Sequence, residues 1–201
     1  MIITKPYNPE RAVEYARRWA RSRNPLFYDF TGGGGNCTNF VSQSVLAGSL
    51  IMNPAPTFGW YYTNVNDRAP AWTGVQEFYE FMCGVGDFPP VSERVGPFCE
   101  EVPRERAVPG DVVQLANSQG VFYHSLIISE VRDNGEILVC AQSNDALDRP
   151  LSTYSYATAR FLHVLGVNIE IAENDEYFTS LINGTALLPK NQIYVPTEAE
   201  N

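Results

Sequence analysis

One cysteine of the sequence lies where a nucleophile could act. Cys37 follows four consecutive glycines, Gly32 to Gly35, and begins a periodic apolar segment that predicts a helix ended by Gly48. At a helix N-terminus, backbone N–H groups and the helix dipole favour the thiolate form of a cysteine. The same N–H groups can stabilise an oxyanion, and glycine leaves room for a substrate carbonyl. Cys37 is therefore a candidate nucleophile, and simple packing of a small apolar side chain is the alternative.

A cysteine nucleophile needs a general base, and the sequence contains two histidines. His163 lies between two apolar residues, which favours a packing role on a strand. His124 begins one apolar segment, and the next apolar segment runs into the polar residues of 140–145. A polar side chain beside an imidazole can fix its tautomer, which is the third role in a catalytic triad. His124 is therefore the candidate base.

The composition excludes some partners. The sequence has 201 residues, with 23 acidic and 14 basic side chains and a formal charge of −9. Such a length suits one domain, or one domain with an extension, and 44% hydrophobic residues indicate a folded globular chain. Because clustered Lys and Arg bind nucleic-acid phosphates and anionic membrane surfaces, the excess of acid argues against both partners.

The sequence also bears on location in the cell. No apolar run approaches the roughly 18 residues that span a bilayer, and residues 1–6 lack the features of a signal peptide. We therefore expect no membrane span, and a cytoplasmic protein from the sequence as written. A secreted or cell-wall-associated protein is the expectation if a leader was removed, and the oligomeric state is left open.

The cysteine pattern predicts neither a metal site nor a cofactor. The four cysteines are widely spaced, form no Cys-x-x-Cys motif and are accompanied by only two histidines, so structural zinc is not expected. Four cysteines over this length do not form a dense disulfide framework either. Cys83, Cys99 and Cys140 are interpreted as structural, and a pairing of Cys83 with Cys99 in an oxidising compartment stays open.

The predicted elements run from helices to strands. Asn8 and Pro9 begin the first helix, residues 36–47 form the second, and residues 73–76 resemble the capping box of a third. Residues 52–72 and 84–109 are predicted as loops, the latter with one short helix. Strands are predicted at 112–116, 121–131, 136–142, 161–167 and 192–195, with a hairpin turn at 133–135. This order predicts an α+β fold with an antiparallel sheet.

Six short blocks of sequence together resemble a known family. They are Asn-Cys-Thr-Asn-Phe-Val-Ser-Gln at 36–43, Gly-Trp-Tyr-Tyr at 59–62, Pro-Gly-Asp-Val at 109–112, Tyr-His-Ser at 123–125, Ser-Asn-Asp at 143–145 and Arg-Pro-Leu at 149–151. The blocks resemble the putative amidase domain family, which is similar to the papain-like NlpC/P60 and CHAP cysteine peptidases and amidases. The resemblance implies a papain-like domain over residues 1–167 and a C-terminal extension over 168–201, packed on the same domain.

The resemblance also implies roles for individual residues. Cys37 would be the nucleophile, with its own backbone N–H as one oxyanion donor, and His124 the general base and acid. Asn144 is expected to orient His124, with Asp145 as the alternative because one sequence does not fix strand register. Gln142 is a further candidate. The family usually has an acidic residue before the nucleophile, whereas this sequence has Asn36, which can still cap the helix or donate to an oxyanion.

The implied substrate is bacterial peptidoglycan, cut by hydrolysis at a stem-peptide bond or at the muramoyl–alanine amide. Two other functions stay open: a papain-like binding module without catalysis, and acyl transfer to an amine. Trp60, Tyr61, Tyr62 and Trp72 are expected to pack in the core, with Trp60 the one most suited to contact a substrate. Asp111 is expected to bond within a turn at the start of a strand.

Overall fold

The computed structural model describes residues 2–170 and 182–184, which form α-helices and an antiparallel sheet. The helices are α1 (Pro9–Trp19), α2 (Cys37–Ser49), α3 (Pro70–Thr73) and α4 (Val75–Cys83). The strands are β1 (Ile2–Lys5), β2 (Tyr62–Asn64), β3 (Asp67–Arg68), β4 (Gly96–Val102), β5 (Val112–Ala116), β6 (Phe122–Val131), β7 (Ile137–Ala141), β8 (Ala146–Pro150) and β9 (Thr158–Glu170). The expected α+β class with an antiparallel sheet is confirmed.

The main sheet is built around the long strand β9. Its order is β1-β9-β5-β6-β7-β8, and β4 also pairs with β9. Strands β5 and β1 pair with successive parts of β9, residues 158–162 and 167–170. All of these pairs are antiparallel, and β2 and β3 form a separate small hairpin. The sheet therefore joins the N-terminal residues to the strands of the second half of the chain.

Alternation along the strands divides the core between the two faces of the sheet. Val112, Ile127 and Leu162 pack with residues of α1, α2 and α4. Their neighbours Val113 and Leu126 pack in a second cluster with residues outside these helices. One face of the sheet is therefore covered by helices, and α2 packs on this face against the middle strands.

Several predicted elements are confirmed. The side chain of Asn8 accepts a hydrogen bond from Arg11 N at 2.9 Å, and Pro9 is the first residue of α1. The predicted strand at 112–116 matches β5, and the strands predicted at 121–131, 136–142 and 161–167 correspond to β6, β7 and β9. The turn at 133–135 joins β6 to β7, with Gly135 at φ +78°.

Two local predictions are wrong. Residues 84–109 contain strand β4, because pairing with β9 organises a stretch that begins with the strand-disfavouring Gly96 and Pro97. The capping box at 73–76 does not form, because Thr73 is the last residue of α3 and Gly74, which has no capping side chain, precedes α4.

The remaining predictions concern the loop 52–72 and the C-terminal segment. The loop contains β2, β3 and the start of α3. Of the segment 168–201, residues 168–170 belong to β9, and residues 182–184 are exposed. The strand predicted at 192–195, and the rest of the proposed extension, lie outside the described residues.

Trp60 belongs to the core, as expected for the aromatic residues of this loop, and it is not the exception that contacts a substrate. Its side chain is fully buried, and its ring centroid lies 4.9 Å from that of Trp72 and 6.1 Å from that of Phe81. Its Nε1–H donates to the hydroxyl of Ser42 at 3.0 Å, which satisfies the indole inside the core. Trp60 therefore supports the helix that carries Cys37.

Gly59, beside Trp60, is expected to be intolerant of a side chain. Gly59 is buried, and a Cβ there would meet the carbonyl oxygen of Ala55 and lie 2.5 Å from that of Asn53. We expect Gly59→Ala to lower the free energy of unfolding by roughly 1–3 kcal/mol, the usual cost of overpacking. Gly32→Ala is the matched control, because no atom lies within 4 Å of a Cβ at that exposed position. Equal stability of the two variants in denaturant unfolding would contradict this prediction.

Candidate active site

The helix α2, which carries Cys37, is held by its own polar side chains as well as by its apolar ones. Phe40, Val41 and Val45 are fully buried in the core. Ser42 donates to the carbonyl oxygen of Trp72 at 2.9 Å, and Asn39 accepts from the Trp72 indole at 2.8 Å. Buried polar groups are tolerated when they are paired in this way. The polar residues in the block 36–43 therefore fix the position of the helix.

The N-terminus of α2 is open. Asn36 occupies the N-cap position but makes no capping hydrogen bond from its side chain. The backbone N–H groups of Cys37, Thr38 and Asn39 have no acceptor among the described residues, as is usual for the first turn of an uncapped helix. The N–H of Cys37 is therefore available to an oxyanion, in the role expected for it.

Asn36 is part of a buried amide network. Its Oδ1 accepts from Phe30 N at 3.1 Å and from Asn39 Nδ2 at 2.8 Å. Its Nδ2 donates to Oε1 of Gln142 at 2.6 Å. Gln142 in turn donates through Nε2 to the backbone oxygens of Trp19 and Ser22. The two amides therefore connect the start of α2 to the residue after β7. We assign both side chains a structural role and no contact with a substrate.

An acid at position 36 is expected to destabilise the fold. In Asn36→Asp, a carboxylate oxygen would replace the donor that faces Oε1 of Gln142, leaving two acceptors about 2.6 Å apart. We expect the free energy of unfolding to fall by about 1–3 kcal/mol at neutral pH. Repulsion and burial would raise the pKa of this carboxyl above the ordinary value of about 3.9. The loss of stability in Asn36→Asp is therefore smallest below about pH 3.9, where the carboxyl is protonated in both the folded and the unfolded protein, and it grows as the pH rises.

Thermal unfolding of Asn36→Asp and of the native protein, from about pH 3 to about pH 7, measures this effect. Asn66→Asp is the matched control, because Asn66 is exposed and gains the same charge. A loss of stability that is independent of pH would show that the repulsion is not the cause.

A cavity of about 330 Å³ contains both candidate catalytic side chains. Cys37 and His124 lie in its wall together with Asn144. The remaining lining residues are Gly34, Gly35, Tyr123, Ser143, Arg149 and Tyr154. The structure therefore brings together residues from the glycine segment, the start of α2, β6, β8 and the turn after β7.

The glycine segment passes along this cavity in a conformation that requires glycine. Gly34 has φ +118° and Gly35 has φ +103°, in a region that other residues rarely adopt. The N–H groups of Gly33 and Gly35 both donate to the carbonyl oxygen of Phe30. The four glycines thus form a tight turn that brings the chain into Cys37 without side chains over the thiol.

Cys37 and His124 lie in the same wall without a hydrogen bond between them. The polar neighbour of the Cys37 thiol is the hydroxyl of Thr38, at 3.8 Å. The centroid of the His124 ring lies 6.3 Å from that of Tyr123 and 6.1 Å from that of Tyr154. Catalytic hydrogen bonds are often long or poorly aligned in a protein without substrate, so the absence of this hydrogen bond is compatible with a nucleophile and its base.

Burial, with a smaller contribution from the positive charge of Arg149, lowers the pKa of His124 to about 4. The imidazole is therefore neutral near pH 7 and has a nitrogen lone pair that can accept a proton. A neutral histidine is the protonation state that a general base requires.

The three candidates for orienting His124 have different surroundings. Asn144 is exposed and lies in the cavity wall. Asp145 makes a two-pronged ion pair with Arg23, with Oδ1–Nη2 at 2.9 Å and Oδ2–Nη1 at 3.0 Å. Gln142 is committed to the amide network. None of the three hydrogen-bonds to His124 among the described residues, and Asn144 is the one left with access to it.

The other predicted polar residues have structural partners. His163 Nδ1 lies 3.0 Å from both carboxylate oxygens of Asp111. Asp111 also accepts from the backbone N–H groups of Val108 and Val164, so its expected role in a turn at the start of a strand is confirmed. This pair is absent from the lining of the cavity that contains Cys37.

The other three cysteines are structural in their surroundings. Cys83 and Cys99 are free thiols whose sulfur atoms are 2.8 Å apart. Burial raises the pKa of the Cys99 and Cys140 thiols, which favours their protonated forms. None of the three lines the cavity.

Sequence reasoning missed four lining side chains: Tyr123, Ser143, Arg149 and Tyr154. Three of them lie in blocks that carry the family resemblance, and two of these, Tyr123 and Ser143, stand beside the chosen candidates His124 and Asn144. Ser143 accepts from the backbone N–H of Asn36 at 2.7 Å and so ties the turn after β7 to the start of α2. Tyr154 had no motif to indicate it, because its placement depends on the 3₁₀ turn Leu151–Thr153.

The described residues, 2–170 and 182–184, contain no group of three or more His, Cys, Asp or Glu side chains arranged to hold a metal ion. They also contain no helix long and apolar enough to cross a membrane.

The sequence is similar to those of known proteins. A family model described as "Putative amidase domain" matches residues 6–165. A Bacillus subtilis (strain 168) protein named "Uncharacterized protein YhbB" is 30% identical over 158 residues, which cover 76% of this chain and 46% of that protein. The chain thus spans less than half the length of this relative. No solved structure matches the chain.

Proposed function

Since the chain belongs to the putative amidase domain family, we propose that it hydrolyses amide bonds with Cys37 as nucleophile and His124 as general base. The observation that carries the proposal is the shared cavity, in which a thiol at the open N-terminus of a buried helix lies in one wall with a neutral imidazole. Asn144 is proposed as the residue that orients His124. We also propose that the domain is papain-like and similar to the NlpC/P60 and CHAP cysteine peptidases and amidases.

The proposed reaction has two halves. In the first, His124 accepts the thiol proton as Sγ of Cys37 attacks the carbonyl carbon of the substrate. The C–N bond then breaks, the leaving amine takes the proton from His124, and the acyl group remains on Cys37 as a thioester. In the second, His124 accepts a proton from water as the oxygen attacks the thioester. The C–S bond breaks, the thiol regains its proton and a carboxylic acid leaves.

The backbone N–H at the start of α2 is proposed to stabilise the oxyanion. The unpaired N–H of Cys37 lies beside the attacking sulfur, where negative charge develops on the carbonyl oxygen. A preorganised donor of this kind typically contributes about 10²–10³-fold to the rate. The side chain of Asn36 is buried and one N–H of its amide donates to Gln142, so we assign it no part in binding the oxyanion.

We propose peptidoglycan as the substrate, cut at a stem-peptide bond or at the muramoyl–alanine amide. The sequence resemblance supports this choice. The cavity volume of about 330 Å³, open enough to admit peptide side chains, is compatible with it. Transfer of the acyl group to an amine instead of water uses the same residues.

A binding module without catalysis is the second candidate. The absence of a hydrogen bond between Cys37 and His124 among the described residues favours it, as does Asn36 in place of the family's acid. A module of this kind would bind peptidoglycan fragments equally well with alanine at position 37.

Digestion of purified cell wall separates the two. Wild-type protein and Cys37→Ala are incubated with the wall, and new amine ends and soluble fragments are identified by mass spectrometry. The proposal predicts new amine ends with the wild-type protein and none with the variant. Equal release from both would exclude Cys37 as the nucleophile.

A further inference from the structure

Arg149 is a fixed positive charge in the wall of the cavity that contains Cys37 and His124. It lies on β8, near the strand end, and the proposed reaction gives it no role. No Asp or Glu lies within 4 Å of its guanidinium among the described residues. The nearby acids Asp145 and Asp148 pair instead with Arg23 and Arg17. The charge of Arg149 therefore has no counter-charge in this part of the chain.

The guanidinium of Arg149 is held in place on one edge. Its Nε–H donates to Oγ1 of Thr153 at 2.8 Å, and its Nη2 donates to the carbonyl oxygen of the same residue at 2.9 Å. The ring of Tyr154 lies 4.0 Å from its central carbon, which is a cation–π contact. Thr153 is itself fixed by donating to the carbonyl oxygen of Pro150.

This arrangement leaves the other edge of the guanidinium free. Arginine has five N–H donors, and Thr153 occupies the edge formed by Nε and Nη2. The end edge, formed by Nη1 and the second hydrogen of Nη2, makes no hydrogen bond among the described residues, and the buried hydroxyl of Tyr154 also has no hydrogen-bond partner there. Two parallel N–H donors match the two oxygens of a carboxylate.

The charge of the cavity is opposite to that of the protein. The chain has a formal charge of −9, yet the lining residues include no Asp or Glu, and Arg149 is their one permanent charge. A substrate anion would therefore be attracted to this wall and would not meet a repelling carboxylate inside the cavity.

We propose that the free edge of Arg149 binds a carboxylate of the substrate, so that the enzyme selects amides with a free carboxylate close to the scissile bond. This inference rests on the proposed function and names its substrate class. The carboxylate replaces water on the guanidinium, and its two oxygens accept from Nη1 and Nη2.

Binding tests this subsite without catalysis. The probes are a synthetic peptidoglycan stem peptide with free carboxylates and the same peptide with every carboxylate converted to a carboxamide. On Cys37→Ala protein, we expect calorimetry to show the free-carboxylate peptide binding about 10- to 100-fold more tightly. In the double variant with Arg149→Gln, the ratio is expected to fall close to one. Arg149→Lys keeps the charge without the fork and is expected to retain part of the preference.

Arg21→Gln is the matched control, because Arg21 is exposed, lies outside the cavity lining and loses the same charge. It is expected to keep the full preference. An unchanged preference in both Arg149 variants, or no preference at all on the parent, would overturn the inference. If only Arg149→Lys folds, its smaller preference decides the question.

The wild-type protein distinguishes this inference from the proposed function. Hydrolysis of both peptides at the same kcat/KM would contradict the carboxylate subsite and leave Cys37 catalysis intact. Preferential binding with hydrolysis of neither peptide would contradict the proposed function and leave the subsite supported.

Discussion

Replacing Cys37 by serine is expected to lower kcat/KM for amide hydrolysis by about 10⁴-fold or more. Loss of the nucleophile in a catalytic triad typically has an effect of this size, because the remaining groups bind the substrate without forming the covalent intermediate. The measurement is the rate of amine release from a stem peptide at substrate concentrations below KM. The side chain at position 37 is only partly buried, and serine is close to it in size, so the fold is expected to stay intact.

Cys83→Ser is the matched control for this substitution. Cys83 is partly buried like Cys37, but it lies outside the cavity lining. Its variant is expected to keep kcat/KM within a few-fold of the wild-type value. If Cys37→Ser loses less than about tenfold, the cysteine mechanism is excluded.

Replacing His124 by glutamine is the second large expected effect, a fall in kcat/KM of about 10²–10⁴-fold, the usual contribution of a general acid–base. The wild-type pH profile carries the same information. Because burial and then Arg149 lower the pKa of His124 to about 4, we expect the acid limb of kcat/KM near that pH. The groups that face the imidazole are Tyr123, Tyr154 and Arg149, and Cys37 lines the same cavity. An acid limb near 6.5, the ordinary histidine value, would contradict this assignment.

Stability provides the control for His124→Gln. An unfolded histidine has a pKa of about 6.5, whereas the folded value is about 4. The neutral His124 therefore favours folding above about pH 6.5, and this contribution is lost as the pH falls through the folded pKa. Glutamine has no such dependence, so the stability of the variant relative to the wild type is expected to rise as the pH falls between these values. Thermal unfolding of the variant and the wild type across that pH range shows whether the lower activity of His124→Gln comes from loss of the general base or from loss of folded protein.

Elements of the fold could be predicted from the sequence where residues close together in the chain determine the local structure. Asn8 with Pro9, the mostly apolar run of 112–116 and the turn at 133–135 all act within a few residues, and all are confirmed. Strands β1, β4 and β8 are short or interrupted, and they depend on partners elsewhere in the chain. Pairing between distant segments overrides weak local propensity, which one sequence does not reveal.

The same distinction applies to the candidate site. The position of Cys37 at the start of a helix follows from local sequence, and the structure brings it into one cavity with His124 and Asn144. The surroundings of Asp145 were beyond sequence reasoning, because its partner Arg23 is 122 residues away. Sequence reasoning favoured core packing for Trp60 but left a substrate contact open, because its burial depends on Ser42 and on the packing of two other aromatic rings.

The most direct test of the account is to look for the acyl group on Cys37. A reaction of wild-type protein with the stem peptide is quenched in acid and digested, and the fragment that contains Cys37 is examined by mass spectrometry. We predict a fragment heavier by the mass of the acyl group, released by hydroxylamine as a thioester is, and absent in Cys37→Ala. Product formed with no adduct on Cys37, and at the same rate by Cys37→Ala, would contradict the account.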